Sequence, residues 1–238
     1  MNKEEFVKEL ENLGIVHNDE MLNKLNVYMN FLMEYNKHTN LTAIKEENDI
    51  YLKHFYDSLT ICKVCDLNKI KNLIDIGTGA GFPGMVLKIF FPDIEVTLLD
   101  SNNKKTKFLD ELSKKLNLKV TIINDRVENF SKNNLNKFDI VTSRAVANLR
   151  VLSELSLPLV KKEGLFIPLK GNIEEELKES SDTIELMDGV LIDRVSFELF
   201  NSGGTRNIIV IKKLKETDLE KLRTYDKILK KPLKKNGK

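Results

Sequence analysis

The chain has 238 residues, 41% of them apolar, enough for one α/β domain with a modest extension and a real core. No apolar run approaches the ~18 residues of a membrane span, and the charged amphipathic start M-N-K-E-E-F-V-K-E-L is not a secretory leader, so a cytoplasmic chain with no membrane partner is expected. The net charge of +2 is unevenly spread: residues 212–238 hold eleven Lys or Arg against four Asp or Glu, a basic tail compatible with phosphate contact or with plain solvation.

Helical periodicity marks residues 5–14 (Phe6, Leu10, Leu13, with Gly14 as a stop) and 20–35 (Leu22, Leu25, Tyr28, Phe31, Leu32). A polar turn, N-K-H-T-N-L-T-A, fills 36–43, and 46–67 reads as one or two further helices with Leu52, Phe55, Leu59 and Ile61 on the apolar side. Cys62 and Cys65 form a lone C-x-x-C within this helix. Zinc needs two more ligands and a redox pair belongs at a strand-to-helix turn, so the spacing predicts two half-buried helix cysteines and no metal. Residues 1–70 are thus a helical amino-terminal cap.

Alternation of strand and helix starts at Leu73. Strands are predicted at 73–76, 95–99, 120–124, 138–143 and 164–171, followed by 190–199 and 206–213 around the hairpin signal N-S-G-G-T. Pro168 is awkward in a central ladder and predicts a bulge or a strand end. Five parallel strands closed by an antiparallel hairpin make an α/β, Rossmann-like, doubly wound sheet over 71–213, with the basic tail at 214–238. No internal repeat or low-complexity linker interrupts it; one compact unit and a monomer are expected.

The chemistry is carried by L-I-D-I-G-T-G-A-G-F-P-G-M at 73–85 and by V-T-L-L-D, ending at Asp100. Gly77, Gly79 and Gly81 are spaced G-x-G-x-G, and Phe82 stands where the dinucleotide fingerprint G-x-G-x-x-G has its third glycine. Asp75, just before the first glycine, disfavours a pyrophosphate but can face an α-amino group. Asp100 is placed to accept hydrogen bonds from ribose hydroxyls. D-x-G-x-G-x-G is the pattern of class I methyltransferases using S-adenosyl-L-methionine (SAM), and this segment resembles it. A ligand-free glycine turn and a nicotinamide or flavin site are the alternatives.

Ligands of a doubly wound sheet lie beyond the carboxyl ends of its strands. Val127 and Glu128 follow the third strand, where a methyltransferase holds the adenine edge, and Ser143 and Arg144 follow the fourth, where methyl meets acceptor. With only six arginines beside 32 lysines, Arg126 and Arg144 at strand ends point to a planar fork for carboxylate, phosphate or a guanine edge. S-R-A-V after the fourth strand is unlike the N-P-P-Y tetrad of adenine amino methylation, and no cysteine lies near a strand end for pyrimidine C5 methylation. Guanine N7 fits, because its lone pair needs no general base; catalysis is then positioning and charge management, with no catalytic residue assigned.

The whole pattern resembles the RsmG (GidB) family of bacterial 16S rRNA (guanine-N7) methyltransferases from about residue 30 to 213. The matching strings are N-K-H-T-N-L-T-A-I (36–44), H-F-Y-D-S-L (54–59), D-I-G-T-G-A-G-F-P-G (75–84), L-D-S-N-N-K-K (99–105), R-V-E (126–128), S-R-A (143–145) and L-K-G (169–171). The resemblance implies SAM-dependent methylation of N7 of one guanine in the 530 loop of 16S rRNA (guanine 527 in standard rRNA numbering), with 16S rRNA or the small ribosomal subunit as partner. It implies cofactor contacts by Gly77, Phe82, Val127, Glu128 and Arg144, and an RNA-facing side at Asn40 and His54. Arg126, Lys170 and Arg206 are further RNA-side candidates; the plainer alternatives are a structural His54, an Arg126 paired with Asp125 or Glu128, and a surface Lys170. Tyr35 departs from the family's frequent Trp, and Y-D-K-I-L-K-K-P-L (225–233) follows the family's basic tail only loosely. Two other readings remain: a SAM methyltransferase for a protein or small molecule, and a non-catalytic RNA-binding protein of the same fold.

Overall fold

A computed structural model of the protein describes residues 1–144, 146–200 and 203–235. Those residues form one seven-stranded sheet from β1 (Asn72–Ile76), β2 (Glu95–Asp100), β3 (Thr121–Asn124), β4 (Phe138–Arg144), β5 (Val160–Lys170), β6 (Gly189–Leu199) and β7 (Gly204–Lys213). The spatial order is β3-β2-β1-β4-β5-β7-β6. The first five strands run parallel, and β7 lies antiparallel between β5 and β6. Order reverses between β1 and β4, so the crevice at their carboxyl ends is where such a sheet binds ligands.

Central parallel strands are covered on both faces and therefore read as apolar runs. On one face, Leu73, Leu98 and Ile140 pack against α4 (Gly84–Phe90) and α5 (Asn103–Lys115). The same cluster continues without a break into the amino-terminal helices α1 (Lys3–Asn12) and α2 (Asp19–Thr39) through Phe6, Leu10, Tyr28 and Leu32. On the other face, Ile74, Val141 and Phe166 pack under α7 (Leu149–Ser156) and α8 (Glu174–Leu186), and the short α6 (Val127–Phe130) follows β3. No helix among the described residues is long and apolar enough to cross a membrane.

Four departures from the sequence reading have physical causes. Helix α2 runs on to Thr39 and ends at Asn40, whose left-handed backbone (φ 51°) caps it. The expected helix over 46–67 is α3, α-helical over Glu47–Ile50, π-helical over Tyr51–Tyr56 and α-helical again over Asp57–Leu59. Cys62 falls in the 3₁₀ turn Thr60–Lys63 and Cys65 beyond it, both half-buried, rather than inside a helix. Strand β5 begins at Val160, because a register shift opposite Phe138 and Ile140 absorbs extra residues around Glu163, which has φ 68°. Pro168 pairs with Ser143 of β4, while the ladder to β7 passes from Phe166↔Ile211 to Leu169↔Ile208 and skips the proline. Asn201 and Ser202 of the predicted hairpin turn, and Ala145 of S-R-A, lie outside the described residues.

Candidate active site

The glycine loop is hung from the end of β2. Backbone N–H groups of Gly77 and Thr78 both donate to the Leu99 carbonyl (2.8 and 3.1 Å). Gly79 N–H donates to Asp100 Oδ2 at 3.0 Å, while Asn102 N–H donates to Asp100 Oδ1 at 2.8 Å. Lys105 Nζ also lies 3.5 Å from Oδ2, so it is Oδ1, with a second lone pair, that can still accept from a ribose hydroxyl. Gly77 and Gly79 have φ of 64° and 63°, and a Cβ at Gly79 meets nothing closer than 4.0 Å, which leaves open space in front of the loop.

Gly81 and Phe82 serve another purpose. A Cβ at Gly81 would stand 2.6 Å from the Tyr28 hydroxyl. Phe82 is buried in a column of rings, parallel to Tyr28 (centroids 5.3 Å apart) and to His54 (4.2 Å). Their contacts hold the amino-terminal helices to the loop, and neither lines the cleft that opens between the ends of β1, β2 and β3.

Asp75 also lies beneath the loop rather than in the cleft. It is fully buried, and its Oδ2 accepts from Thr78 Oγ1 (2.6 Å) and Gly84 N–H (2.8 Å), while Oδ1 has no partner. Burial pushes its carboxyl up to about 7, against the bonds from Thr78 and Gly84. A raised carboxyl favours the protonated folded state; the stability this carries is present below the ordinary value and is lost as pH rises through about 7. Asp75→Asn keeps an accepting oxygen and removes the charge. It is expected to gain on the parent by about 4 kcal/mol between pH 4 and pH 8, read from urea unfolding at both. A pH-independent difference between the two proteins would count against this account.

Between the ends of β1, β2 and β3 lies a cleft of about 300 Å³, lined by Gly77, Asp100, Arg126, Val127, Glu128 and also Lys105, Leu155 and Tyr225. Acceptors for hydroxyls at Asp100 and apolar flanks at Val127 and Leu155 suit an adenosine. Arg126 is exposed and pairs with Glu128 (2.8 Å).

A second cavity, of about 410 Å³, opens beside the end of β4 and gathers His54, Asp57, Arg144, Lys170 and Arg206. Its centre is Asp57, whose side chain is 3% exposed and holds two guanidinium groups: Arg144 Nη1 on Oδ2 (3.0 Å) and Arg206 Nε on Oδ1 (2.9 Å). Arg144 also donates to the Lys53 carbonyl (2.8 Å) and, through Nη2, to His54 Nδ1 (3.0 Å). Arginine offers no acceptor, so Nδ1 is the bare nitrogen of His54 and Nε2–H faces Thr42 Oγ1 at 2.8 Å. Burial, then the Arg144 charge, lowers His54 to about 3, so the ring stays neutral at physiological pH. The π-helical turn in α3 carries Lys53 and His54 and ends at Tyr56, directly before Asp57. Such bulges recur at functional sites because they re-aim side chains.

The surrounding polar loop is equally determined. Asn36 donates to the Thr42 carbonyl (2.8 Å) and accepts from its N–H (3.0 Å), folding N-K-H-T-N-L-T back so that Thr42 reaches His54. Asn40 is exposed and lines a separate hollow with Asn36 and Thr42, outside both cavities. Lys170 donates to the Ala147 carbonyl (2.6 Å) and pairs with Glu176 (2.8 Å), which fixes the chain after β4. Val146 and Ala147 line the first cleft and Arg144 the second, so this one stretch borders both.

Residues 21–209 match the family described as rRNA small subunit methyltransferase G (GidB). The chain belongs to this methyltransferase family. It is 46% identical over 221 residues to ribosomal RNA small subunit methyltransferase G of Bacillus subtilis, covering 91% of this chain and 92% of the relative. To the protein of the same name from Desulforamulus reducens it is 50% identical over 196 residues, covering 80% and 81%. Among solved structures, M. jannaschii TYW2 in complex with AdoMet is similar at TM-score 0.51 and 17% identity, over 63% of this chain and 71% of that one, a likeness of fold alone. The sheet order and the family agree on a class I methyltransferase architecture.

For this family member the sequence reading misses Asp57, Thr42, Lys105 and Tyr225. Asp57 and Thr42 sit inside H-F-Y-D-S-L and N-K-H-T-N-L-T-A-I, so the motifs themselves were the available signal. Cys62 and Cys65 line neither cavity, and burial pushes their thiols up to about 12 and about 11, far from a nucleophilic thiolate.

Proposed function

We propose that the protein is a SAM-dependent methyltransferase acting on N7 of a guanine in 16S rRNA, the guanine of the 530 loop that the family resemblance implies. One observation carries the reading: the end of β4 borders a basic cavity through Arg144, and the residues just after it, Val146 and Ala147, border the cleft that holds Asp100 and Val127. A donor and an acceptor held in those two spaces meet across that stretch.

The residues present fit the cofactor. Gly77, Asp100 and the apolar sides of Val127 and Leu155 would hold it, with open space at Gly79 next to them in the loop. Bound there, SAM supplies a methyl group made electrophilic by its sulfonium charge. In the second cavity, Lys53, Arg144, Lys170 and Arg206 outnumber Asp57 and Glu176, which favours an electron-rich ligand. Three of Arg144's five N–H groups are committed to Asp57, Lys53 and His54, and the remaining two, with the free N–H groups of Arg206, are donors for guanine O6 or a phosphate. His54 holds its one proton toward Thr42 and its bare nitrogen toward Arg144, so it positions the arginine and moves no proton. That suits N7, whose lone pair needs no base, and leaves catalysis to positioning.

The test is transfer of a labelled methyl group from SAM to free 16S rRNA and to small subunits from cells lacking the enzyme. The expected product is 7-methylguanosine at one position in the 530 loop. Label in a protein or small molecule but not in rRNA would move the acceptor, and the proposal with it.

A further inference from the structure

Charge alone leaves the segment after β7 as a basic tail for phosphate contact or plain solvation, and in the fold it lies back over α7. Arg223 makes a two-pronged pair with Glu154, whose side chain is 2% exposed; its Nη2 reaches Oε2 at 2.6 Å. The segment's helix α9 (Tyr225–Lys230) buries Ile228 against Val151 and Leu155, and Arg150 Nη1 donates to the Ile228 carbonyl at 3.0 Å. Three residues apart on a helix, Ile228 and Tyr225 share one face. Anchoring the first fixes the second, and Tyr225 packs against the same small cluster and lines the adenosine cleft. The Arg126 guanidinium lies over the Tyr225 ring, 5.0 Å from its centroid. Behind them is another hollow, of about 550 Å³, which Arg126, Glu128 and Tyr225 also border. The Arg126–Tyr225 pair is thus a partition, with the cleft on one side and the hollow on the other.

We infer that Tyr225 is a cofactor-contacting residue: the carboxy-terminal segment closes the adenosine cleft in cis, and the phenol ring supplies an aromatic wall for the purine. The inference rests on reading that cleft as the SAM site. Three features converge on it. The ring is in the cleft wall, it is held there by a buried ion pair and a buried isoleucine rather than by chance surface packing, and its exposed neighbour Arg126 is spent on covering it and pairing Glu128. A base stacked on an aromatic side chain gains ~1–3 kcal/mol, so the ring matters for affinity.

Calorimetric titration of the full-length protein with SAM tests this. Tyr225→Ala is expected to bind about tenfold more weakly and Tyr225→Phe like the parent. In turnover the loss in Tyr225→Ala falls on KM for SAM, leaving KM for rRNA unchanged. Ile228→Ala, which leaves the Tyr225 ring in place but releases its anchor on Val151 and Leu155, weakens SAM binding in the same direction. Hydrogen exchange on the parent protein gives a reading independent of any variant's folding: SAM slows exchange over residues 222–230 as well as in the glycine loop. Unchanged SAM affinity in a folded Tyr225→Ala, or exchange over 222–230 indifferent to SAM, overturns the inference while the cofactor reading stands. A parent protein that takes up no SAM overturns both.

Discussion

Asp57→Ala is expected to unfold some 6–12 °C below the parent and to lose methyl transfer by about 100-fold or more, with SAM affinity little changed. The reasoning starts from burial. Asp57 is a nearly inaccessible carboxylate with one guanidinium on each oxygen. Removing one partner of a buried pair leaves charge without compensation and costs ~3–5 kcal/mol. Arg144 and Arg206 keep 14% and 22% of their side chains exposed and can recruit water, which places this case at the lower end, about 3 kcal/mol. The activity loss has a separate origin. Arg144 is aimed by Asp57, the Lys53 carbonyl and His54 together, and Arg206 by Asp57 and the Thr205 carbonyl. Without the carboxylate both forks swing, and acceptor positioning goes with them. Asp57→Asn retains one accepting oxygen and should fall between the two. Melting curves and single-turnover methylation measure both effects; a variant that melts like the parent and still methylates at its rate would remove Asp57 from the centre of the acceptor cavity.

The parts of this molecule that could be read from sequence are those where local chemistry and global fold make the same demand. Leu73-Ile74-Asp75-Ile76 must be a buried strand, because its apolar run stops at glycines, and Gly77 and Gly79 do adopt positive φ where the chain turns. Asp100 at the end of β2 is likewise a local statement. The cavity beside the end of β4 is different. Its ties join residues 87 apart (Asp57 and Arg144) and 149 apart (Asp57 and Arg206), and no periodicity encodes such pairings. The π-helical turn that presents His54 and Asp57 has no compositional signature; Y-L-K-H-F-Y reads as ordinary helix. Lysines mask the tail's docking: Ile228 is one buried residue in a strongly charged stretch, and only the tertiary contact with Val151 and Leu155 distinguishes it from a solvated one. Phe82 stands out in the sequence, and in the fold its ring stacks on His54 and does not line the cleft between β1, β2 and β3.

Gly77→Asp is expected to abolish SAM binding while leaving the protein folded. Three effects add. Gly77 has φ 64°, a conformation that costs an ordinary L-residue ~1–2 kcal/mol and an aspartate somewhat less. A Cβ there would stand 2.7 Å from Val146 Cγ2, but Val146 is exposed and its side chain can turn away, so steric strain alone is modest. The decisive effect is the carboxylate. It would project from the cleft wall, where Asp100 and Glu128 already carry negative charge, into the space that an adenosine needs. Gly77→Ala separates the contributions: it keeps the strain and the methyl-sized intrusion, omits the charge, and should weaken SAM by about tenfold. The readout is thermal. For the parent, SAM at a hundred times its Kd adds ~2.7 kcal/mol, which for a domain of this size raises Tm by about 5–10 °C. Gly77→Asp should melt within a few degrees of the ligand-free parent and show no rise with SAM. A full rise in that variant would move the cofactor away from the crevice between β1 and β2. A rise with NAD instead of SAM, in the parent, would show that the spacing G-x-G-x-G had been assigned to the wrong adenosine ligand.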